Sequence, residues 1–173
     1  MLRNIISPVL LALGLAAPVW AHDTPVTDPQ IAHIAYTAGQ LDIAAAEQAL
    51  GKSTNETVLA FARQMAEDHK AVNDQALALV TRLGVAPEDN PTSQALTQQA
   101  ADKIAELDKL DGAAFDKAYI DNEVAYHAAV NDSLAALLIP SAHDAELKAL
   151  LETGLTLFTE HQHHAEMVAG DLQ

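Results

Sequence analysis

The stretch "VLAFARQMAEDHKAVNDQALALVTRL", residues 58–83, decides the fold of this chain. Its apolar residues recur at alternating intervals of four and three, which places them on one face of an α-helix. They form a stripe of Val58, Ala62, Met65, Val72, Ala76, Leu79 and Leu83. His69 fills the gap in this stripe, four residues after Met65. The stretch therefore predicts a long helix with a histidine facing the protein core.

The same helical character extends over most of the chain. Ala, Leu, Gln and Glu dominate, and aromatic residues make up only 4%. No segment alternates with the period of two that a strand requires. Start and stop signals predict helices from Asp28 to about Leu50, Ser53 to about Gly84, Thr92 to about Leu110, Ala113 to about Ile139, and Ser141 or Asp144 to about Ala169.

Four long helices and one shorter helix predict an all-α fold, a ferritin-like four-helix bundle. The shorter helix, within residues 92–110, would be a crossover between the second and third long helices. Such a crossover should make those two long helices parallel neighbours.

The first 21 residues have the pattern of a secretory signal peptide. Arg3 precedes an uncharged apolar run, and Val19 and Ala21 are the small residues that a cleavage site requires. The run is too short for a comfortable membrane span, which needs about 20 apolar residues. We expect a bundle domain of residues 22–173, exported to the periplasm of a Gram-negative bacterium or secreted. The alternative is a retained N-terminal anchor. The amine and imidazole of a new N-terminal His22 would be able to chelate copper, and the alternative is a disordered terminus.

The charge and composition of the expected domain exclude several classes of function. It has 8 Lys and Arg against 24 Asp and Glu, a formal charge of −16, and no cysteine. Such a surface repels nucleic acid and anionic lipid and attracts cations, although it also simply favours solubility. Disulfides, thiolate metal sites and a cysteine nucleophile are excluded. A protein partner and a homo-oligomer both stay open.

Two further histidines occupy apolar stripes, on the third and last long helices. The stripes are Ile120, Val124, Val130, Leu134 and Leu137 around His127, and Leu147, Leu150, Leu151, Gly154, Leu157, Phe158, Ala165 and Val168 around His161. With a rise of about 1.5 Å per residue, His69 and His127 lie about 20 Å from the starts of their helices. Three core-facing histidines on three helices should therefore converge. His163 should face water, because it is rotated by about 200° from His161.

A transition-metal site is one explanation of these histidines. Imidazole combined with carboxylate suits zinc, iron, copper or nickel. Glu123, His164 and Met65 each lie one turn from a core-facing histidine, so they would complete the metal shell. Asp42, Glu47 and Glu160 are further possible oxygen donors, and the alternative for each is a solvated helix face.

A hydrogen-bonded layer of histidine and carboxylate that locks the bundle is the alternative, since buried imidazoles need partners. An ordinary di-iron site is disfavoured, because such sites use Glu-x-x-His. Here Glu123 and His127, like Glu160 and His164, are four residues apart.

Three segments resemble a known bacterial family. They are "FARQMAEDHKAVN" (Phe61–Asn73), "FDKAYIDNEVAYH" (Phe115–His127) and "LFTEHQHHAE" (Leu157–Glu166). The chain is similar over nearly the whole expected domain to secreted proteins named only as domain of unknown function 4142. The Met-x-x-Asp-His segment is the most specific part of this resemblance.

The resemblance implies an exported ferritin-like bundle with His69, His127 and His161 at the histidine positions of the family. It also aligns "GQLDIA" (Gly39–Ala44) with a first-helix Gly-x-x-Glu segment. Asp42 stands where Glu is typical, so the side chain is shorter there.

The leading functional hypothesis is an exported bundle that binds a transition metal for buffering, sensing or a stress response. One alternative is a metal-dependent oxidase or peroxidase-like enzyme at the same histidines. The sequence has no nucleophile–base arrangement or phosphate loop that would point to another reaction. The other alternative is a non-enzymatic envelope stress or interaction protein with structural histidines. Its partner would bind the acidic surface or residues 92–110.

Overall fold

The computed structural model describes residues 26–172, so the expected signal segment and His22 lie outside the described part. The predicted all-α bundle is confirmed. The helices are α1 (Asp28–Lys52), α2 (Glu56–Leu83), α3 (Pro91–Leu107), α4 (Gly112–Ser133), α5 (Ile139–Ser141) and α6 (Ala145–Asp171), with a π-helical turn at Leu134–Leu138 between α4 and α5. Within residues 26–172 no helix is long and apolar enough to cross a membrane.

The caps of α2 differ in part from the sequence prediction. Ser53 does not cap this helix. Asn55 does, because its side chain accepts hydrogen bonds from the amides of Thr57 and Val58. The Ser53 hydroxyl instead donates to Oδ1 of Asp116 at 2.6 Å and joins the starts of α2 and α4. At the other end Gly84 takes a left-handed conformation with φ of 66°, as the predicted stop requires.

The end of the third long helix also departs from the prediction. Helical backbone continues past Ile139 to Ser141, because the turn before Pro140 is widened to a π-helix. A proline ring would clash with the carbonyl four residues earlier in a regular α-helix. In the widened turn the amide of Ile139 bonds to the carbonyl of Leu134, five residues back. Asp144, one of the two predicted caps, caps α6.

Two apolar clusters show the direction of each helix. One combines residues from the end of α1, the starts of α2 and α4, and the end of α6. The other combines residues from the start of α1, the end of α2, the π-helical turn and the start of α6. Because α2 and α4 begin in the same cluster, they are parallel, as predicted from the crossover.

The prediction that α2 and α4 are neighbours is wrong. The closest pairs along the bundle are α1–α2, α2–α6, α4–α6 and α1–α4, so α2 and α4 lie on a diagonal. The reason is that the crossover helix α3 returns along α1 before it reaches α4. Helix α1 therefore stands between the two parallel helices on that side.

A layer of buried polar side chains separates the two apolar clusters. Its members, one to three from each long helix, are Asp42, His69, Asn73, Glu123, His127, Asn131 and His161. Burying so many polar groups at one level is costly unless they bind one another or a ligand. This layer is the candidate functional site.

Candidate metal centre

The structure brings together the three histidines that the sequence placed in the core. His69 of α2, His127 of α4 and His161 of α6 are 3%, 1% and 0% exposed. One ring nitrogen of each lies within 4.8 Å of the others. Their positions agree with the expected single interior cluster.

Asp42 of α1 completes a compact triangle of donor atoms with two of these histidines. Nε2 of His69 and Nε2 of His127 are 3.4 Å apart. Oδ2 of Asp42 lies 3.5 Å from the former and 3.6 Å from the latter. Tetrahedral ligands at bond lengths of about 2.1 Å are separated by about 3.4 Å. The triangle therefore has nearly the dimensions of one face of a tetrahedral metal site.

Hydrogen bonds outside the triangle orient two of the imidazoles. Nδ1 of His127 lies 3.0 Å from the backbone carbonyl of Glu123. If Nδ1 carries the proton and donates it there, Nε2 presents its lone pair to the triangle. Nε2 of His161 lies 3.0 Å from Oδ2 of Asp68, and its buried Nδ1 has no hydrogen-bond partner among residues 26–172. His161 can thus offer Nδ1 as a donor while Asp68 holds Nε2.

Two close packing contacts fix the position of the triangle. The ring of Phe158 stacks on His69 with a centroid separation of 4.6 Å. Helix α1 approaches α2 closely at Gly39, where a Cβ atom would lie 2.5 Å from Oδ1 of Asn73. Gly39 precedes Asp42 by almost one turn, and Asn73 follows His69 by about one turn. This close approach therefore brings the Asp42 carboxylate to His69.

Glu123 adds a second carboxyl group beside the triangle. Its Oε2 lies 3.6 Å from Nδ1 of His127, and donor atoms of Asp42, Glu123 and His127 form a second group within 4.8 Å. Burial raises the pKa of Asp42 to about 7, partly offset by its interaction with Glu123. Burial and the charge of Asp42 raise the pKa of Glu123 well above its ordinary value. A positive ion at this level would reverse both effects.

The imidazoles of the layer are neutral at ordinary pH. Burial, together with the neighbouring imidazoles of His127 and His161, lowers the pKa of His69 to about 2. Burial also lowers the pKa of His127 to about 4 and the pKa of His161 below its usual value. Neutral imidazoles have the free lone pairs that metal ligation requires.

Two other expected ligands occupy different surroundings. His164 lies outside the converging groups, with Nδ1 3.1 Å from Oε1 of Gln64 and its ring edge against Phe61. Met65 is fully buried in the apolar cluster at the start of α2. His163 faces solvent, as expected, and so do Glu47 and Glu160.

Asp42 and Asp68 are the residues that sequence reasoning did not include among the expected ligands and their supports. The sequence indicates Asp42 only as a possible oxygen donor, yet it is fully buried on the α1 face that carries Ala38, Ala45 and Ala49. That position was the available signal, because a lone carboxylate in a buried alanine stripe needs a partner. Asp68 is the aspartate of the Met-x-x-Asp-His segment, but that segment does not indicate its contact with His161, which depends on the packing of α2 against α6.

Comparisons with known proteins agree with this architecture and leave the chemistry open. A family model described as a domain of unknown function, DUF4142, matches residues 15–168. No functionally curated protein matches the chain. Two solved structures are similar in fold. A DUF305 fragment from Deinococcus radiodurans has a TM-score of 0.71 and 15% identity, covering 86% of this chain and 99% of its own. A candidate secreted DUF305 protein from Streptomyces coelicolor has a TM-score of 0.72 and 9% identity, covering 86% and 96%. At these identities the likeness shows the fold alone.

Proposed function

The chain belongs to the DUF4142 family of domains of unknown function, and from that premise we propose that it is a transition-metal-binding protein. The ion would lie in the polar layer of the bundle. His69, His127 and Asp42 would bind it directly, and His161 would supply the fourth donor. Glu123 would sit beside the ion and compensate its charge.

The observation that carries this proposal is the triangle of donor atoms with sides of 3.4, 3.5 and 3.6 Å. Burying three polar atoms from three different helices at these distances is costly unless they share a partner. The face of a tetrahedral site has edges of about 3.4 Å, whereas adjacent ligands in an octahedral site at the same bond length lie closer, at about 3.0 Å. The dimensions therefore favour a tetrahedral ion such as zinc, and the nitrogen-rich donor set also suits copper, iron or nickel.

The electrostatics of the layer support the binding of a cation. Asp42 and Glu123 are buried next to each other, and no Lys or Arg side chain shares their layer among the described residues. Two neighbouring carboxyl groups in a dry interior must either keep protons or neutralise a positive ion. A divalent ion with two carboxylates would leave the layer electrically neutral.

We propose that the bundle buffers or senses this metal outside the cytoplasm. The signal-like segment of residues 1–21 supports export, although it lies outside the described residues. The formal charge of −16 on the expected domain would raise the local concentration of cations at its surface. An oxidase or peroxidase role would additionally require a coordination position open to a substrate.

A structural layer without metal is the second candidate, and one specific observation favours it. His161 and His127 each already bind an oxygen atom, from Asp68 and from the Glu123 carbonyl. Nε2 of His69 could then donate to Nε2 of His127 across their 3.4 Å separation. In that case the layer would set the register of the helices and have no ligand.

Elemental analysis and metal titration of protein purified without a histidine tag distinguish these candidates. We expect one ion per chain and a rise in the melting temperature on metal addition. His69→Ala, His127→Ala and Asp42→Asn should each greatly weaken binding. The matched control is His163→Ala, because His163 is exposed on α6. Loss of stability in the variants without any effect of metal would establish the structural layer instead. Oxidase and peroxidase assays of the metal-loaded protein would test the enzymatic alternative.

A further inference from the structure

A cavity of about 310 Å³ lies between α3 and the four long helices. Protein interiors are normally packed with few voids larger than a water molecule. Small-molecule sites, in contrast, occupy about 300–1,000 Å³. The cavity is therefore large enough for an organic ligand, and its size is not explained by a metal ion in the polar layer.

The walls of the cavity are apolar and kept apart by small side chains. Helix α1 contributes Ala32, Ala35, Ala38 and Ala45, and α4 contributes Ala125 and Ala129. Larger aliphatic side chains of α3 and α6, including Leu96, Ile104 and Leu151, close the remaining sides. Alanines on two facing helices leave space that leucines would fill. The shape thus suits the apolar body of a ligand.

One wall of the cavity is polar. Asp42 and Glu123 both line the cavity. Both carboxyl oxygens of Asp42 and Oε2 of Glu123 are buried without a hydrogen-bond partner within the described part of the chain. Oδ2 of Asp42 belongs to the donor triangle and Oε2 of Glu123 lies 3.6 Å from Nδ1 of His127, which leaves Oδ1 of Asp42 for a ligand. An anionic head group would be repelled at this wall, whereas a neutral donor would satisfy it.

The cavity reaches the protein surface between α3 and α4. Gln99 and Lys103 of α3 and Ala125 and Ala129 of α4 line the cavity, and all four residues are exposed to solvent. The buried residues of α3 are Ser93 and Leu107, one near each end of the helix. The middle of α3 is therefore the thinnest wall, and a ligand has a path past it.

We propose that this cavity binds a small apolar molecule that carries one neutral hydrogen-bond donor. The donor, a hydroxyl or an aromatic secondary amine, contacts Asp42 and Glu123, and the apolar body lies along the alanine-lined walls. This site goes beyond the proposed metal function and does not require an ion.

Fluorescence titration with N-phenyl-1-naphthylamine tests the site, because this probe is apolar, has one N–H donor and brightens in apolar surroundings. The expected result is saturable binding by the metal-free protein. Ala100→Phe fills the cavity from α3, and Ala129→Phe fills it from α4. Each should weaken probe binding by about tenfold or more, since overpacking removes the space that the ring needs. The matched control is Ala105→Phe, on an exposed position of α3 that does not line the cavity.

Competition identifies the head group. 1-Decanol should displace the probe at a concentration about tenfold lower than decanoate, because decanoate brings a negative charge to the carboxyl wall. Decyl methyl ether, which has no donor, should compete more weakly than 1-decanol. Equal competition by decanoate would overturn the neutral-donor assignment. Absent saturation, or equal weakening by Ala105→Phe and Ala100→Phe, would overturn the site itself. Metal titration of Ala100→Phe tests the metal proposal separately from the cavity, because Ala100 lies outside the groups of candidate ligands.

Discussion

Oδ2 of Asp68 lies 3.0 Å from Nε2 of His161, and this contact connects the protein surface to the buried layer. The side chain of Asp68 is 35% exposed, whereas His161 is fully buried. A carboxylate on the outer nitrogen of a metal-binding histidine fixes the ring orientation and increases the basicity of the inner nitrogen. Asp68 is therefore placed to act as a positioning residue for His161.

Asp68→Asn should lower metal affinity by about 10–100-fold without removing a ligand. The amide oxygen is uncharged, so it accepts a weaker hydrogen bond from the imidazole N–H than the carboxylate does. The amide can also rotate and present its own N–H group. The affinity is measured by competition with a chromogenic chelator. The matched control is Asp74→Asn, since Asp74 is an exposed residue of the same helix that pairs with Lys70. Equal affinities in the two variants would show that the Asp68 contact does not support a metal ligand.

Gly39→Ala should destabilise the fold and weaken metal binding together. The new Cβ atom would lie 2.5 Å from Oδ1 and 2.9 Å from Nδ2 of Asn73. The buried Asn73 must move and lose its contact with the carbonyl of Tyr36. We expect a loss of about 1–3 kcal/mol in the free energy of unfolding, measured in urea.

The same helix offers a matched control in Gly51→Ala, where no atom lies within 4 Å of the added Cβ. That change should be neutral or stabilise the protein by about 0.5–1 kcal/mol, because alanine favours a helix over glycine. The double variant Gly39→Ala with Asn73→Ala should recover part of the lost stability. Equal effects of the two glycine substitutions would rule out the close approach of α1 and α2.

Asn55→Ala should cost about 1 kcal/mol of stability, because the Asn55 side chain caps two amides at the start of α2. Thr54→Ala is the control, since Thr54 is exposed and adjacent to the cap. Thermal unfolding of both variants provides the measurement. A larger loss in Thr54→Ala would contradict the assignment of the cap.

The sequence was sufficient to predict the helices and the three central histidines. An imidazole in an apolar stripe is conspicuous, and the rise per residue places His69 and His127 at similar depths. The buried position of Asp42 was harder to predict, because alanines surround it and alanine occurs in cores and on surfaces alike. Its contact with His69 also depends on how closely α1 approaches α2 at Gly39, which is a tertiary property.

The prediction that His164 and Met65 complete the metal shell used a weaker argument than the prediction of the three central histidines. Residues three or four positions along a helix share its face but lie one turn away along its axis. The polar layer is thin, so that turn carries His164 to Phe61 and Met65 into the apolar cluster. The length of the connection between α2 and α4 likewise does not predict whether these helices are adjacent. Only the path of α3 along α1 shows that the two parallel helices lie on a diagonal.

The stability of the metal-free protein should have a maximum near pH 6.5, the ordinary pKa of histidine. Burial lowers the pKa of His69 to about 2 and that of His127 to about 4, so below pH 6.5 the unfolded chain binds protons that the folded chain does not. The contribution of these imidazoles to the free energy of unfolding is full above pH 6.5 and is lost as the pH falls. Asp42, with a pKa raised to about 7, has the opposite effect. Its contribution is full below its ordinary pKa of 3.8 and is lost as the pH rises through 7.

Below pH 6.5 the three imidazoles outweigh the two carboxyl groups, because the lowered pKa of His161 adds to the effect of the other two and Glu123 acts like Asp42. Above pH 6.5 the imidazoles are neutral in both states and only the carboxyl groups still titrate, so the free energy of unfolding declines as the pH rises. Saturating zinc should move the maximum to higher pH, because the ion binds ionised carboxylate and neutral imidazole. Asp42→Asn should reduce the decline above pH 6.5, since the amide does not titrate. Urea unfolding between pH 4 and 9 measures both effects, and a maximum unchanged by zinc and by Asp42→Asn would falsify this account of the layer.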